Sequence, residues 1–402
     1  MKKKDDWHRP RHTFGQWFMG RIVAPLVCHK GFVKNKIVLP KGPLLVLCNH
    51  VTNIDPQLIY RSVKNVPIYF VAMSEITSRK GIGSLIQYFS GNIQILKGVS
   101  DPLAVRRMIK VKNEGYPVIL FPEGNRTFDG SRCNIDKSTA KLVKIFKTPV
   151  AFLNIEGGYG FDPRWGNSKR RGYHKVVLRH IMSLDEINSM SLDEIYDKIC
   201  EYLTVDDVNK GYIYKSNKRA ESLERLVFTC PDCGAVQTIQ SKGNEVYCTK
   251  CGYKVEYGEN LHFTLVKGNT KIDTVKDWCL IDKKWLVSKD LKKDEIIFRD
   301  EHVNLVRLYY ERERRPLISD FTITAYNDRF EIEKAGVKKS FPLDRLTNAQ
   351  GIIANKALFY VDRHMYQITG ESNLNAMKYV MLIHHNVNLK NGIQGEDEFL
   401  GI

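Results

Sequence analysis

Asn49-His50-Val51-Thr52-Asn53-Ile54-Asp55 sets an imidazole and a carboxylate five positions apart. On an extended chain that separation exceeds ~10 Å, but a chain that turns through Thr52-Asn53 into a helix returns the carboxylate beneath the ring. A carboxylate on one ring nitrogen fixes the tautomer, raises the basicity of the other nitrogen and stabilises the imidazolium formed on proton uptake. His50 then has the state needed to activate a hydroxyl. The motif holds no Ser or Cys as nucleophile, so the attacking oxygen is expected on a substrate. Asp55-Pro56 is also the pattern of a helix N-cap followed by proline at the first helical position, and Asp101-Pro102 repeats it with no chemistry attached. Capping is the competing role for Asp55.

A second group, Phe121-Pro122-Glu123-Gly124-Asn125-Arg126-Thr127, reads as a turn. Gly124 lets backbone amides approach an anion, and Arg126 offers a planar fork of donors. Glu123 is placed to orient Arg126 or to meet a substrate hydroxyl. A surface loop with a local Glu–Arg pair is the plainer alternative. The third group is Cys230-Pro-Asp-Cys233-Gly and Cys248-Thr-Lys-Cys251-Gly, two knuckles separated by 14 residues. Two such knuckles complete a tetrahedral thiolate site, closed to water and substrate, so a structural zinc ion is expected. Zinc would supply on the order of 10 kcal/mol to a fragment too small to fold alone. Two disulfides are the alternative, disfavoured in a chain without a secretory signal.

These groups need elements to hold them. Apolar runs at Leu44–Cys48, Ile68–Met73, Asn92–Leu96, Val118–Phe121, Val150–Ile155 and Val176–Ile181 read as strands. Helical patterns lie between them near Pro56–Lys64, Ile82–Phe89, Pro102–Glu114 and Thr139–Phe146. Continuous apolar strands separated by helices predict a mostly parallel α/β sheet covered on both faces. In such a sheet the residues after the first, third and fourth strands leave at the carboxyl edge, where these folds bind ligands. His50, Asp55, Lys97, Glu123 and Arg126 therefore converge. Helices are expected at Ser191–Leu203 and Ser216–Arg225, and short ribbon strands at Leu226–Thr229, Val236–Gln240, Glu245–Tyr247 and Tyr253–Glu256. A helix at Thr274–Ser288, five strand-like runs between Val303 and Thr369 and a last helix near Asn375–His385 make the remainder a β-rich α+β unit.

At 402 residues the chain is long enough for several cores, and 43% hydrophobic with 27% charged residues excludes a disordered, collagenous or disulfide-stapled class. The net charge of +17 points to an acidic partner. Residues 1–50 carry ten Lys/Arg against Asp5 and Asp6, a net +8 interleaved with Trp7, Phe14, Trp17, Phe18 and Leu26. The apolar run Trp17–Cys28 is interrupted by Arg21 and Pro25 and is shorter than the roughly 20 residues a span requires. It suits a helix lying in an anionic headgroup layer, and a helix covering the core is the alternative. No secretory signal is expected, and the scattered Cys28, Cys48, Cys133, Cys200 and Cys279 imply a reducing compartment. The basic loop Pro163–Gly172 is placed to reach headgroups or the phosphates of coenzyme A or an acyl carrier protein, or else is solvated.

Residues 35–182 resemble the glycerolipid acyltransferase family, typified by 1-acylglycerol-3-phosphate acyltransferase. The family's N-H-x4-D motif stands as Asn49, His50 and Asp55, and its F-P-E-G-[TN]-R-[ST] motif as Phe121 to Thr127. Gly91–Lys97 corresponds to a strand usually ending in arginine, with Lys97 keeping charge but losing the bidentate fork. The resemblance implies His50 and Asp55 as the catalytic pair. It implies substrate contacts from Asn49, Lys97, Glu123, Gly124, Asn125, Arg126 and Thr127, and needs no catalytic metal. Its implied partners are lysophosphatidic acid, acyl-CoA or acyl carrier protein, and an anionic membrane surface, with phosphatidic acid as product.

The expected division is therefore a basic amphipathic membrane-surface segment at 1–34, an acyltransferase domain at 35–205, a helical linker at 206–226, a zinc ribbon with ligands Cys230, Cys233, Cys248 and Cys251 at 227–257, and the β-rich unit at 258–402. The expected location is the cytoplasmic face of a membrane, peripheral or monotopic. An acyltransferase for a different lysophospholipid is one competing reading. A nucleic-acid or protein-binding zinc-ribbon protein is the other, because charge of this sign with a ribbon suits it too.

Overall fold

The computed structural model describes residues 12–28, 31–73, 88–95, 101–288, 294–308, 314–353, 355–362, 364–371 and 373–392. Lys97, residues 82–87 of the helix expected at Ile82–Phe89 and all the basic residues before position 12 lie outside them. The chain divides into two compact units, one of Met1–Arg126, Arg132–Phe161 and Arg171–Asp207, the other of Thr127–Ser131, Asp162–Arg170 and Val208–Ile402.

The first unit opens on α1 (His12–Phe18), a wide π-helical turn (Met19–Val23) and α2 (Ala24–Val27). Pro25 lacks a backbone donor, and the wide turn just before it accommodates that loss. This stretch buries Met19, Gly20, Ala24 and Cys28 and exposes Phe14, Trp17, Ile22 and Leu26. No helix of the described residues is long and apolar enough to cross a membrane.

The core of this unit is a six-stranded sheet of β1 (Leu45–Cys48), β2 (Tyr69–Met73), β3 (Ile93–Ile95), β4 (Val118–Leu120), β5 (Val150–Glu156) and β6 (Lys175–Met182), in the order β3-β2-β4-β1-β5-β6. All neighbours are parallel except β5 and β6, so the sheet is mostly parallel, as expected. Leu45 and Leu47 of β1 pack in a core with helices α4 (Pro102–Asn113) and α5 (Ser138–Phe146), through residues such as Met108, Val111, Val143 and Phe146. Val46 and Cys48 point to the opposite face and are equally buried, so β1 is enclosed on both sides. The helix after β1, α3 (Asp55–Ser62), buries Leu58 and Ile59.

Beyond α6 (Gly158–Phe161), two helices, α7 (Leu184–Ser189) and α8 (Leu192–Leu203), each start with a capping box, Ser183/Glu186 and Ser191/Glu194. The expected helix at Ser216–Arg225 is absent apart from a 3-10 turn at Leu223–Arg225. Arg219 explains the difference: its buried guanidinium donates to Ser216 O and Tyr257 O, bonds that require an irregular backbone. The linker is therefore part of the second unit's packing.

In the second unit β7 (Ile239–Lys242), β8 (Glu245–Cys248), β9 (Lys254–Tyr257) and β10 (Phe263–Lys267) form an antiparallel sheet ordered β10-β9-β8-β7. The ribbon sheet thus extends past the expected end at 257, and Leu226–Thr229 contributes only an isolated bridge, Thr229 to Val236. Helix α9 (Val275–Ser288) follows.

The β-rich region is a seven-stranded antiparallel sheet: β11 (Phe298–Leu308), β12 (Arg314–Ala325), β13 (Arg329–Lys334), β14 (Val337–Pro342), β15 (Leu346–Ile353), β16 (Lys356–Val361) and β17 (His364–Thr369). Their order is β14-β13-β12-β11-β17-β16-β15. Helix α10 (Met377–Lys390) inserts Tyr379 between Phe298 and Phe330. The buried Lys378 ammonium is matched by Asp300 at 2.6 Å.

Two arginines of the basic loop, Arg164 and Arg170, turn into the fold, while Asn167, Ser168 and Arg171 are exposed. Arg164 lies 4.0 Å over Phe128, and Arg170 sits 5.1 Å from the Trp165 ring and 5.2 Å from Tyr257, all of them buried. Cation–π packing in a desolvated setting holds these side chains inside the second unit.

Candidate active site

β1 and β4 are adjacent parallel strands with Leu47 opposite Leu120, so 49–55 and 121–126 leave the same edge of the sheet. There the His50 Nδ1 lies 2.7 Å from Asp55 Oδ2, the carboxylate fully buried and the imidazole one-quarter exposed. The competing capping role fails for Asp55. Residue 54 is the N-cap of α3 and no side chain caps that helix, whereas Asp101 accepts from Ala104 N at 3.1 Å in an ordinary cap.

Asp55 instead turns back on the loop before it. Its Oδ2 also accepts from Val51 N at 2.7 Å, and its Oδ1 from Thr52 N at 2.9 Å and Thr52 Oγ1 at 2.6 Å. Those donors compensate a buried carboxylate and lock the turn that carries His50. Thr52 was not singled out by sequence as a functional residue. A threonine three positions before an acid is nevertheless a local hydrogen-bonding pattern that could have marked it.

The imidazole stacks on Phe121 at 4.6 Å and 25°, and Phe121 stacks in turn on Phe70 at 6.2 Å. With Nδ1–H assigned as donor to Asp55, Nε2 is the nitrogen that takes a proton.

Glu123 is buried, and its two oxygens accept from His50 N at 3.1 Å and Cys133 N at 2.8 Å. It ties the FPEG turn to the His50 backbone, a holding role. Burial pushes its carboxyl up to about 7, against backbone hydrogen bonds that pull it down. A carboxyl raised in the fold binds more protons folded than unfolded. Its stabilising contribution is therefore present below pH 4.5 and is lost as pH rises through about 7. The expected loss is on the order of 3 kcal/mol. Thermal unfolding across pH 4–8 checks this, with Glu123→Gln flattening the slope.

Asn49 also has a structural role. Its amide accepts from Ile155 N at 2.7 Å and donates to Ile155 O at 3.1 Å, clamping the end of β5 beside β1. Asn49→Ala strands a buried N–H and C=O and is expected to cost about 1–3 kcal/mol of stability, read as a lowered Tm.

Gly124 has φ 61° and is exposed, with open space where a Cβ would stand, so the backbone conformation is what requires glycine. Asn125 and Arg126 are buried on the same turn. Thr127 begins a segment belonging to the second unit, where its Oγ1 accepts from Gly130 N at 2.9 Å. The structure thus brings His50, Asp55 and Glu123 together.

In the second unit the Sγ atoms of Cys230, Cys233, Cys248 and Cys251 all lie within 4.8 Å of one another, a set that can hold a metal ion. Cys230–Cys251 and Cys233–Cys248 are 3.7 and 3.9 Å apart. A disulfide requires about 2.05 Å, and tetrahedral thiolates at about 2.3 Å from zinc stand about 3.8 Å apart. Gly234 and Gly252, at φ 65° and 75°, turn each knuckle. Behind it, fully buried Asp282 of α9 accepts from Phe228 N and Thr229 N and fixes the approach to Cys230.

Residues 31–155 match the family model described as Acyltransferase. Among solved structures, the chain is similar to the crystal structure of the 1-acyl-sn-glycerophosphate (LPA) acyltransferase PlsC from Thermotoga maritima. That similarity is 20% identity with a TM-score of 0.36, covering 47% of this chain and 75% of that one. With both motifs meeting at one sheet edge and the family model spanning them, residues 31–155 form an Acyltransferase-family domain.

Proposed function

We propose that the chain transfers a fatty acyl group from an acyl thioester to the free hydroxyl of 1-acylglycerol-3-phosphate, giving phosphatidic acid. The observation that carries this is the 2.7 Å His50–Asp55 pair, buried on the carboxylate side and exposed on the imidazole side. His50 Nε2 takes the hydroxyl proton as that oxygen bonds to the thioester carbonyl carbon. The tetrahedral intermediate then collapses, the C–S bond breaks, and the imidazolium returns its proton to the departing thiolate. General-base help of this kind contributes about 10²- to 10⁴-fold. Arg126, with Gly124 and Asn125 on its turn and Lys97 beyond the third strand, receives the acceptor's phosphate in this reading.

Zinc is the ion proposed for the four cysteines, on donor chemistry and sulfur spacing. Its role is to fold the ribbon. The reaction is proposed at an anionic membrane surface on the cytoplasmic side. The bulky apolar side chains that α1 and α2 turn outward, Phe14, Trp17 and Leu26, support an interfacial rather than a core-covering role for that stretch.

Purified protein given an acyl-CoA or acyl carrier protein donor and a panel of lysolipids tests the reading. Phosphatidic acid is expected from lysophosphatidic acid. Transfer only to another lysophospholipid would replace the acceptor, and no transfer with tight, salt-sensitive DNA or RNA binding would replace the activity.

A further inference from the structure

Four cations gather at the far end of α3 from His50. Gly20 packs so closely on α3 that a Cβ there would lie 3.1 Å from Tyr60 O, which sets Arg21 beside the helix's last turn. Ile37 pairs with Val63 and donates from its N–H to Ser62 O at 3.0 Å, which sets Lys34 beside the same turn. Asn35 fixes this arrangement by accepting from Ser62 Oγ at 3.0 Å and donating to Val176 O at 2.7 Å. Arg61, in the last turn of α3, sets its guanidinium 5.7 Å over the Phe32 ring, and its buried Nε has no hydrogen-bond partner among the described residues. Lys64 follows one residue beyond the helix's C-cap.

Partial burial, then Arg21, Lys34 and Arg61, pull the Lys64 ammonium below its ordinary value. Like charges held this close, with a fork atom buried and unused, are stabilised by an anion that several of them share. The surroundings indicate which anion. Ile22 and Val33, next in chain to Arg21 and Lys34, and Leu26 and Val38, further along the same two segments, are all exposed, Leu26 at 71% and Val38 at 59%. A nucleic-acid groove has no use for such a rim, whereas a bilayer offers phosphate at the depth where aliphatic side chains enter the acyl boundary.

We propose that Arg21, Lys34, Arg61 and Lys64 form a binding site for the phosphate of anionic phospholipids in a bilayer, with Ile22, Leu26, Val33 and Val38 entering the lipid around it. The site deepens the membrane-surface reading above, and rests on it for its setting alone. Vesicle binding requires no turnover, so its failure and a failure of acyl transfer are separate results.

The test is sedimentation of the full chain with phosphatidylcholine vesicles, with and without 30% phosphatidylglycerol. Lys34→Gln/Lys64→Gln changes two exposed residues, and Arg61→Gln is added in a triple variant whose Tm is measured alongside. Lys215→Gln/Lys242→Gln, exposed in the second unit, is the charge-matched control. Each cation at an anionic leaflet is worth about five-fold in partitioning, so the double variant is expected to bind anionic vesicles ~25-fold more weakly while the control stays near wild type. Equal losses in the double variant and the control would overturn the proposal, as would equal wild-type binding to both vesicle types. So would a Tm rise with inorganic phosphate that the double variant loses while keeping its vesicle binding, or preferential, cluster-dependent binding of a DNA duplex.

Discussion

Asp55→Asn is expected to lower acyl transfer by about 10²- to 10⁴-fold, with the thioester KM changed far less. The carboxylate does two things at once. It holds the proton on His50 Nδ1, so that Nε2 is the basic nitrogen, and it pins the turn through Val51 N, Thr52 N and Thr52 Oγ1. Asparagine keeps the size but can present only one oxygen, and its amide nitrogen faces donors where an acceptor stood. The pair acts as a unit, so Asp55→Asn combined with His50→Ala should be little slower than either change alone. Steady-state kinetics on the four proteins of that cycle check this, with Tm separating lost chemistry from lost folding. Independent, multiplying losses would mean that Asp55 serves only the fold.

The second large effect concerns the four cysteines. Cys248→Ser, or removal of metal by a chelator, should unfold the ribbon, since structural zinc contributes on the order of 10 kcal/mol to fragments of this kind. The loss should spread. Trp278 of α9 is completely buried and donates from Nε1 to Thr229 O at 2.8 Å, one residue before Cys230. Gln237 bridges the ribbon to β11, donating to Arg299 O at 3.0 Å and accepting from Arg299 N at 3.2 Å. Tryptophan emission should shift to the red, and about one zinc per chain should be found in the untreated protein. A metal-free chain with unchanged emission after chelation would remove the zinc assignment.

What the sequence made legible follows from which signals are local. The strands of the first sheet read as continuous apolar runs because both faces are covered, and β1, β2, β4, β5 and β6 lie within one or two residues of their expected ends. The four cysteines were legible because knuckle spacing is short-range. Two strands of the last sheet were not. β14, Val-Lys-Lys-Ser-Phe-Pro, is an exposed edge with no alternation to see, and β15 carries Asn, Gln and Gly at positions where strand formers usually stand.

Tertiary partners caused the other differences. Ser216–Arg225 has helix-like charge spacing, yet Arg219 spends its donors on distant carbonyls. Asp55-Pro56 and Asp101-Pro102 are identical as dipeptides, and only the fold distinguishes the one that meets a histidine from the one that caps a helix. Asn49 and Glu123 have the residue types of substrate contacts. Their bonds to Ile155, His50 and Cys133 are to backbone 106, 73 and 10 positions away, which no local pattern records.

The most direct test is the rate at which the wild-type chain and His50→Ala move an acyl group from acyl-CoA to lysophosphatidic acid on anionic vesicles, with unfolding temperatures measured on the same samples. Phosphatidic acid is expected from the wild type, and a rate at least about 10²-fold lower from a variant that is equally folded. A folded His50→Ala protein that transfers at the wild-type rate would contradict the general-base role of His50.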